Sequence, residues 1–342
     1  MLDALHRELA ERWAELPDKP STLYFGGGTP TVYSPQELQG PIERVKSLYA
    51  IQAFEEVTVE ANPDDLTDDY LSRLQKTDVD RLSIGIQSFR DEDLELFNRR
   101  HTGQEAYDVV QRAKKYGFGN ITVDLIYGIP GLTDEAWRTN LQKFLELDVP
   151  HLSAYHLTIE PRTVFGKWME QGRITPVTEE TSERQYEILE RITREAGYEH
   201  YEISNFARPG FRAVHNNHYW NGTPYLGIGP AAHSFDGKTR RWNTANNKIY
   251  LETSGTDVGF ETETLTDTDR FNETLLAGLR TSDGVSWRAI RERFGPEREA
   301  YLRKAIVSFI ASGAVEDDGK TFRIPSSCFL ISDAVIASLF LA

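Results

Sequence analysis

Three consecutive glycines, Gly26, Gly27 and Gly28, follow directly on the apolar run Thr22-Leu23-Tyr24-Phe25 and precede Thr29-Pro30. With no Cβ atoms, this backbone is free to take positive φ, and its N–H groups can approach a ligand closely. A strand ending in such a loop reads as a ligand site at the carboxyl end of a sheet or barrel, against the plainer reading of a flexible turn. Later strand-like runs also end in residues capable of chemistry. Glu60 closes Glu56-Val-Thr-Val-Glu60, and Asp124 lies inside Val123-Asp124-Leu125-Ile126. A carboxylate in an apolar strand is costly to bury unless it faces a partner or a cation. For Glu60 a nearby Lys or Arg would also serve. Gln87 closes a third run, and Arg99 follows in the helical region beyond it. Amide N–H groups, two carboxylates, a side-chain amide and a guanidinium on one face suit a zwitterionic ligand with an amine, a carboxylate and a ribose.

The elements that must position these groups alternate. Leu2, Leu5, Leu9, Trp13 and Leu16 predict an amphipathic helix over residues 2–16. Strands are expected at 22–25, 56–60, 81–86, 120–126 and 151–155, with helices opening at Ser34-Pro35, Thr67 and Thr133. A repeat of about 30 residues is the spacing of βα units with a parallel sheet. A helix is expected over 176–197, then an aromatic- and Asn-rich region from Tyr201 to His233. Residues 252–267, polar and containing Gly255, read as a linker. Helical patterns at 268–280, 286–293 and 297–312, with Gly313 as a cap and a hairpin over 315–324, complete a winged-helix-like module.

Composition narrows the function. With 38 basic and 53 acidic side chains the net charge is −15, which argues against a nucleic-acid surface. The C-terminal module is accordingly read as a packing or partner domain. No apolar run reaches the length needed to span a bilayer, and the N-terminus lacks the pattern of a secretory signal. The single cysteine, Cys328, excludes a disulfide framework and any cluster or zinc site built from several thiolates of this chain. It suits a reducing cytoplasm. His215 and His218 lie in an aromatic stretch with Tyr219, Trp220, Tyr225 and Trp242. Such residues flank a planar ligand or simply make a small core, and a histidine among them is a ligand or a packed, hydrogen-bonded residue.

Five motifs in order, Gly26-Gly-Gly-Thr-Pro30, Glu60-Ala-Asn-Pro63, Gly85-Ile-Gln-Ser-Phe89, Asp124-Leu-Ile-Tyr-Gly-Ile-Pro130 and Gly227-Ile-Gly-Pro-Ala-Ala-His-Ser234, resemble the oxygen-independent coproporphyrinogen III oxidase family of radical S-adenosylmethionine proteins. The resemblance runs nearly the full length. His215-Asn-Asn-His-Tyr219 fits the HNxxY heme motif of that family's heme chaperone branch. The resemblance implies that Gly27, Gly28, Thr29, Glu60, Gln87, Arg99, Asp124, Tyr155 and His233 line S-adenosylmethionine sites, and that His215, ahead of His218, is the heme ligand. The family begins with a strand ending in a CxxxCxxC loop that holds a four-iron cluster, whose open iron binds the amine and carboxylate of S-adenosylmethionine. Neither that strand nor those cysteines are in this sequence. The expectation is a chain truncated before its cluster motif, or else a natural variant without the cluster, and in either case unable to bind the cluster as given.

The fold expected is α/β: a partial (β/α)6 barrel of the radical S-adenosylmethionine type without its first strand, over residues 1–251, then the linker at 252–267 and a small helical domain at 268–342. The function implied is a heme chaperone that binds heme and delivers it to acceptor proteins, membrane-associated respiratory ones among them. The alternative is an oxidative decarboxylase of coproporphyrinogen III in porphyrin biosynthesis, and a third reading is a cluster-free scaffold for partner proteins. The chaperone branch is not expected to oxidise coproporphyrinogen, so enzymatic activity is left open, as is a homodimer.

Overall fold

In the computed structural model, which describes residues 1–253 and 259–341, the chain forms two compact units. One comprises Tyr24–Pro35 and Val57–Arg212; the other comprises Met1–Leu23, Gln36–Glu56 and the chain from Ala213 onward. Helix α1 (Leu2–Arg12), extended by a 3-10 turn at Trp13–Glu15, and most of α2 (Pro35–Tyr49) belong to the second of these.

A seven-stranded sheet, all of it in the first unit except Thr22, Leu23 and Glu56, organises that unit. Its strands are β1 (Thr22–Phe25), β2 (Glu56–Ala61), β3 (Arg81–Gln87), β4 (Asn120–Tyr127), β5 (His151–His156), β6 (Glu199–Glu202) and β7 (Asn205–Ala207), in the order β1-β2-β3-β4-β5-β7-β6. Strands β2 to β5 run parallel, β7 lies antiparallel to β5, and β6 antiparallel to β7. The five strands expected from periodicity all form. The last two were not foreseen, because each has only three or four residues and their register breaks between His200 and Glu202.

Period-2 alternation gives the sheet two chemically different faces. Val57, Val59, Leu82, Ile84, Ile121, Val123, Leu125 and Leu152 are buried on one side. The in-register pairs Glu60↔Ser83 and Asp124↔Ser153 alternate with them on the other. A slip of one residue would exchange the faces, so burial of the apolar set holds the polar set in place. At the amino end of the polar face, buried Arg81 donates to Asn120 Oδ1 at 2.7 Å and to Thr122 Oγ1 at 2.6 Å.

The connecting helices are α3 (Asp68–Leu74), α4 (Asp91–Leu96), α5 (Gly103–Lys115), α6 (Asp134–Leu147), α7 (Val164–Glu170) and α8 (Glu179–Glu195). Thr67, Thr102, Thr133, Thr163 and Thr178 cap five of them, each hydroxyl accepting a backbone N–H in the first turn. Such a cap stabilises by about 1 kcal/mol. The helix expected to run on through Arg99 is in fact two. Helix α4 stops at Leu96, Asn98 turns the backbone left-handed at φ 54°, and the capping box of Thr102 with Glu105 starts α5. Arg99 therefore lies in the joint between helices.

In the other unit, α9 (Val214–Asn221) precedes an antiparallel sheet of β8 (His233–Phe235), β9 (Thr239–Asn243) and β10 (Phe260–Thr264), with α10 (Asn247–Glu252) between β9 and β10. Part of the expected linker is thus a strand: β10 pairs with β9 from Phe260↔Asn243 to Thr264↔Thr239. All five of its residues are exposed, so it carries no apolar periodicity to be read. Gly255 lies outside the described residues. Glu8 of α1, fully buried, accepts from Arg12 at 2.5 Å, Gly229 N at 2.8 Å, Asn243 Nδ2 at 2.6 Å and the Tyr250 hydroxyl at 2.6 Å. That network ties α1 to β9 and α10.

The C-terminal module has α11 (Asp267–Leu279), α12 (Trp287–Phe294), α13 (Pro296–Ala305), α14 (Val307–Ser312) and α15 (Ser332–Ser338). A small sheet of β11 (Val285–Ser286), β13 (Thr321–Arg323) and β12 (Glu316–Asp317) lies with them, which is the expected helices-plus-hairpin pattern. The single helix expected at 297–312 breaks at Ile306, and Gly313 at φ 78° caps α14.

Candidate functional site

The glycine loop and the polar sheet face meet at Glu60. Its carboxylate accepts the Tyr24 hydroxyl at 2.8 Å on one oxygen and the Gly27 N–H at 3.0 Å on the other. Gly27 and Gly28 hold φ of 76° and 63°, and a Cβ on either would meet nothing within 4 Å. At Gly26, by contrast, a Cβ would lie 2.5 Å from the Tyr24 ring and 2.9 Å from Glu60 Oε1. The first glycine is thus required by packing and the next two by backbone conformation.

From this loop a chain of polar contacts crosses the sheet's carboxyl end. Thr29 Oγ1 lies 3.5 Å from Asn62 Nδ2, and Asn62 Oδ1 accepts from Arg99 at 3.1 Å. Burial lowers the pKa of the Arg99 guanidinium, an effect opposed by Asp64 and Asp124. Gln87, at φ 72°, folds its amide over Gly85, where a Cβ would lie 2.8 Å from Gln87 Nε2 and 3.7 Å from Arg99 Nη2. Asp124 lies beyond, with Ser83 Oγ 3.4 Å from both carboxylate oxygens. Desolvation and the Glu60 charge push the Asp124 carboxyl up to about 7, against the lowering effect of hydrogen bonds from Ser153 and Ser83. Tyr155 lies beside Ile126 in the register and is 45% exposed. Gly27, Gly28, Thr29, Glu60, Gln87, Arg99, Asp124 and Tyr155 therefore fall in one unit at one end of one sheet. His233 belongs to the other unit, where it stacks on Trp242 at 5.8 Å and 21°.

The histidine pair lies on a helix. Helix α9 has no cap of its own at Ala213, and none of its residues is buried. Its first amides are instead bound by Glu56, the buried first residue of β2, with Val214 N to Oε2 at 2.9 Å and His215 N to Oε1 at 3.1 Å. A carboxylate there answers both the orphan N–H groups and the positive end of the helix dipole. At the far end Gly222 takes the left-handed conformation, φ 74°. Helical spacing puts His215, His218 and Tyr219 on neighbouring positions of one side. His215 Nδ1 lies 2.8 Å from Thr22 Oγ1, His218 Nδ1 lies 3.5 Å from the same oxygen, and His215 Nε2 lies 3.0 Å from the Tyr219 hydroxyl. Burial pushes the His215 imidazole down to about 4, so it is neutral at pH 7. Tyr219, 47% exposed, meets Tyr225 edge-on at 4.9 Å and 88°. Trp242, paired with His233, is not part of this group. Thr22 and Glu56 read in the sequence only as strand residues; their roles depend on tertiary approach and leave no local signal.

The two carboxylates and the open glycine backbone fit a cationic ligand such as S-adenosylmethionine, since burial and the Glu60 charge push the Asp124 carboxyl up to about 7 and a bound cation would favour its ionised form. The residues given do not fit a cluster held by three thiolates. Cys328 is the single cysteine, and among the described residues no three His, Cys, Asp or Glu side chains are grouped to hold a metal ion.

Comparison with known proteins identifies the relatives of this chain. Residues 5–144 match the radical SAM superfamily and residues 265–330 the HemN C-terminal domain. The heme chaperone HemW of Lactococcus lactis subsp. lactis (strain IL1403) is 34% identical over 341 residues, covering 99% of this chain and 90% of that protein. Heme chaperone HemW of Bacillus subtilis (strain 168) is 34% identical over 322 residues, covering 92% and 84%. Among solved structures, the coproporphyrinogen III oxidase HemN from Escherichia coli, a radical SAM enzyme, superposes with a TM-score of 0.82 over 99% of this chain and 82% of its own, at 23% identity. That likeness establishes the fold. The radical SAM superfamily implies S-adenosylmethionine and a four-iron cluster as cofactors. With HNxxY carried on α9 and curated relatives matched over almost the whole sequence, the chain belongs to the HemW heme chaperone family of the radical SAM superfamily.

Proposed function

We propose that this chain binds heme through His215 and passes it to acceptor proteins. The observation that carries the reading is the His215 imidazole on the part-buried helix α9, its ε nitrogen 3.0 Å from a half-exposed tyrosine hydroxyl; burial keeps the ring neutral. Neutral imidazole is the form that ligates iron. Tyr219 and Tyr225 offer aromatic surface beside it for one porphyrin face.

In this reading the other unit is the S-adenosylmethionine site. Gly27 and Gly28 leave backbone room for the ligand, Glu60 and Asp124 meet its positive charge, and Arg99 and Gln87 serve its carboxylate and hydroxyls. When bound with a four-iron cluster, that cofactor supplies reductive cleavage chemistry. Membrane-associated respiratory proteins are among the acceptors proposed, the chain working in the cytoplasm, which its single cysteine suits. Self-association into a homodimer is compatible with this role.

The test compares hemin with metal-free protoporphyrin IX in equilibrium titrations. If iron ligation drives binding, hemin binds at least about tenfold more tightly, since a metal–imidazole bond adds well over 1.4 kcal/mol. Equal affinities would mean that the porphyrin merely adsorbs to apolar surface, and would overturn the assignment.

A further inference from the structure

The contacts of His215 carry one step more, which rests on the heme reading above. Its two ring nitrogens have different partners: the Thr22 hydroxyl at Nδ1, 2.8 Å away, and the Tyr219 hydroxyl at Nε2, 3.0 Å away. An imidazole with one proton donates from one nitrogen and accepts at the other, so the partners decide the tautomer. A phenol is the more acidic hydroxyl and the better donor; an aliphatic alcohol is the better acceptor. Nδ1–H therefore donates to Thr22 Oγ1, and the Nε2 lone pair accepts from the Tyr219 O–H. That leaves the Thr22 hydroxyl its own proton to donate, and a second imidazole nitrogen, His218 Nδ1, lies 3.5 Å from the same oxygen.

We infer that Thr22 is a positioning residue for heme capture: it locks His215 in the tautomer that presents the Nε2 lone pair outward, while the Tyr219 hydroxyl occupies that lone pair as a displaceable stand-in for iron. The two partners suit these roles. Thr22 is β-branched and sits in β1, so its hydroxyl is held by a stiff side chain on a strand. Tyr219 is half-exposed on a short helix with no buried residue, so its ring can swing aside without opening a core. A hydrogen bond to the far nitrogen of a metal-binding imidazole fixes ring orientation and raises ligand basicity, and losing one commonly weakens metal binding 10–100-fold.

The test begins without heme. In heme-free protein, ¹⁵N NMR of the His215 ring should show Nδ1 protonated and Nε2 bare. Thr22→Val, which keeps the shape and removes the hydroxyl, should shift that tautomer ratio, and Thr22→Ser should restore it. Hemin titration should then show Thr22→Val weaker by at least about tenfold, with a lower Fe–His stretching frequency in the ferrous complex, and Thr22→Ser close to wild type. Rescue by serine separates a positioning role from a packing defect in the strand. A wild-type ring protonated at Nε2 would overturn the inference. So would a Thr22→Val variant that matches wild type in affinity and stretching frequency while His215→Ala loses heme. If His215→Ala itself binds heme as wild type does, the heme reading fails instead, and the tautomer measurement, which needs no heme, still decides the part assigned to Thr22.

Discussion

Replacing Glu56 by glutamine should loosen the heme-motif helix while leaving the sheet intact. Helix α9 is eight residues long, buries none of them, and has no side-chain cap of its own. An isolated helix of that length is unstable in water. It is held at its start by the Glu56 carboxylate, which accepts two amides at 2.9 and 3.1 Å from a residue only 2% exposed. Glutamine keeps one acceptor oxygen but turns an NH₂ group toward the second amide and removes the charge at the dipole's positive end. One lost hydrogen bond to a charged group and one lost charge–dipole contact together come to about 2 kcal/mol. That raises the opening equilibrium of α9 roughly 30-fold, at 1.4 kcal/mol per factor of ten. Amide hydrogen exchange reads this directly: protection should fall across residues 216–221 and hold in β3 and β4. Unchanged protection in α9, or an equal loss everywhere, would refute the capping argument.

Three further outcomes follow from the geometry. Asp124→Asn should stabilise the protein increasingly as pH rises. With a folded pKa of about 7 against 3.8 for an ordinary aspartate, the native state keeps a proton that the unfolded chain releases between those values. The stability cost is absent below the unfolded pKa and complete above the folded one, an upper bound of roughly 4 kcal/mol; a wild-type–variant difference that stays flat from pH 4 to pH 8 would contradict it. Gly26→Ala should cost about 1–3 kcal/mol in denaturant unfolding, because its Cβ meets Tyr24 and Glu60 at 2.5 and 2.9 Å. Gly27→Ala and Gly28→Ala, where a Cβ meets nothing within 4 Å, should each cost only the positive-φ strain of about 1 kcal/mol, and a smaller effect at Gly26 than at these two would reverse the packing argument.

The parts legible in the sequence were those written in local pattern. Alternating strands at 22–25, 56–61, 81–87, 120–127 and 151–156, and the Thr67 and Thr133 caps, stand where hydrophobic periodicity and capping chemistry put them. The loop glycines and the strand carboxylates Glu60 and Asp124 were legible for the same reason, a polar or special residue interrupting an apolar run. What escaped depends on distance in sequence. Glu56 reads as one more strand residue until a helix more than 150 positions later needs a cap, and Thr22 until His215 is placed against it. Glu8 is one acid of an amphipathic helix, yet it is the buried acceptor joining α1 to Gly229, Asn243 and Tyr250. Strand β10 escaped for the opposite reason: fully exposed, it has no apolar side to alternate.

The central claim is that heme is held by His215 on α9. Titrating hemin into wild type and His215→Ala, with thermal unfolding of both, tests it most directly. The account predicts that the variant loses or shifts the Soret band of the complex. Its melting temperature should stay within a few degrees of wild type, since loss of two part-exposed hydrogen bonds costs about 1 kcal/mol. A folded His215→Ala protein that titrates with the wild-type Soret band and affinity would contradict it.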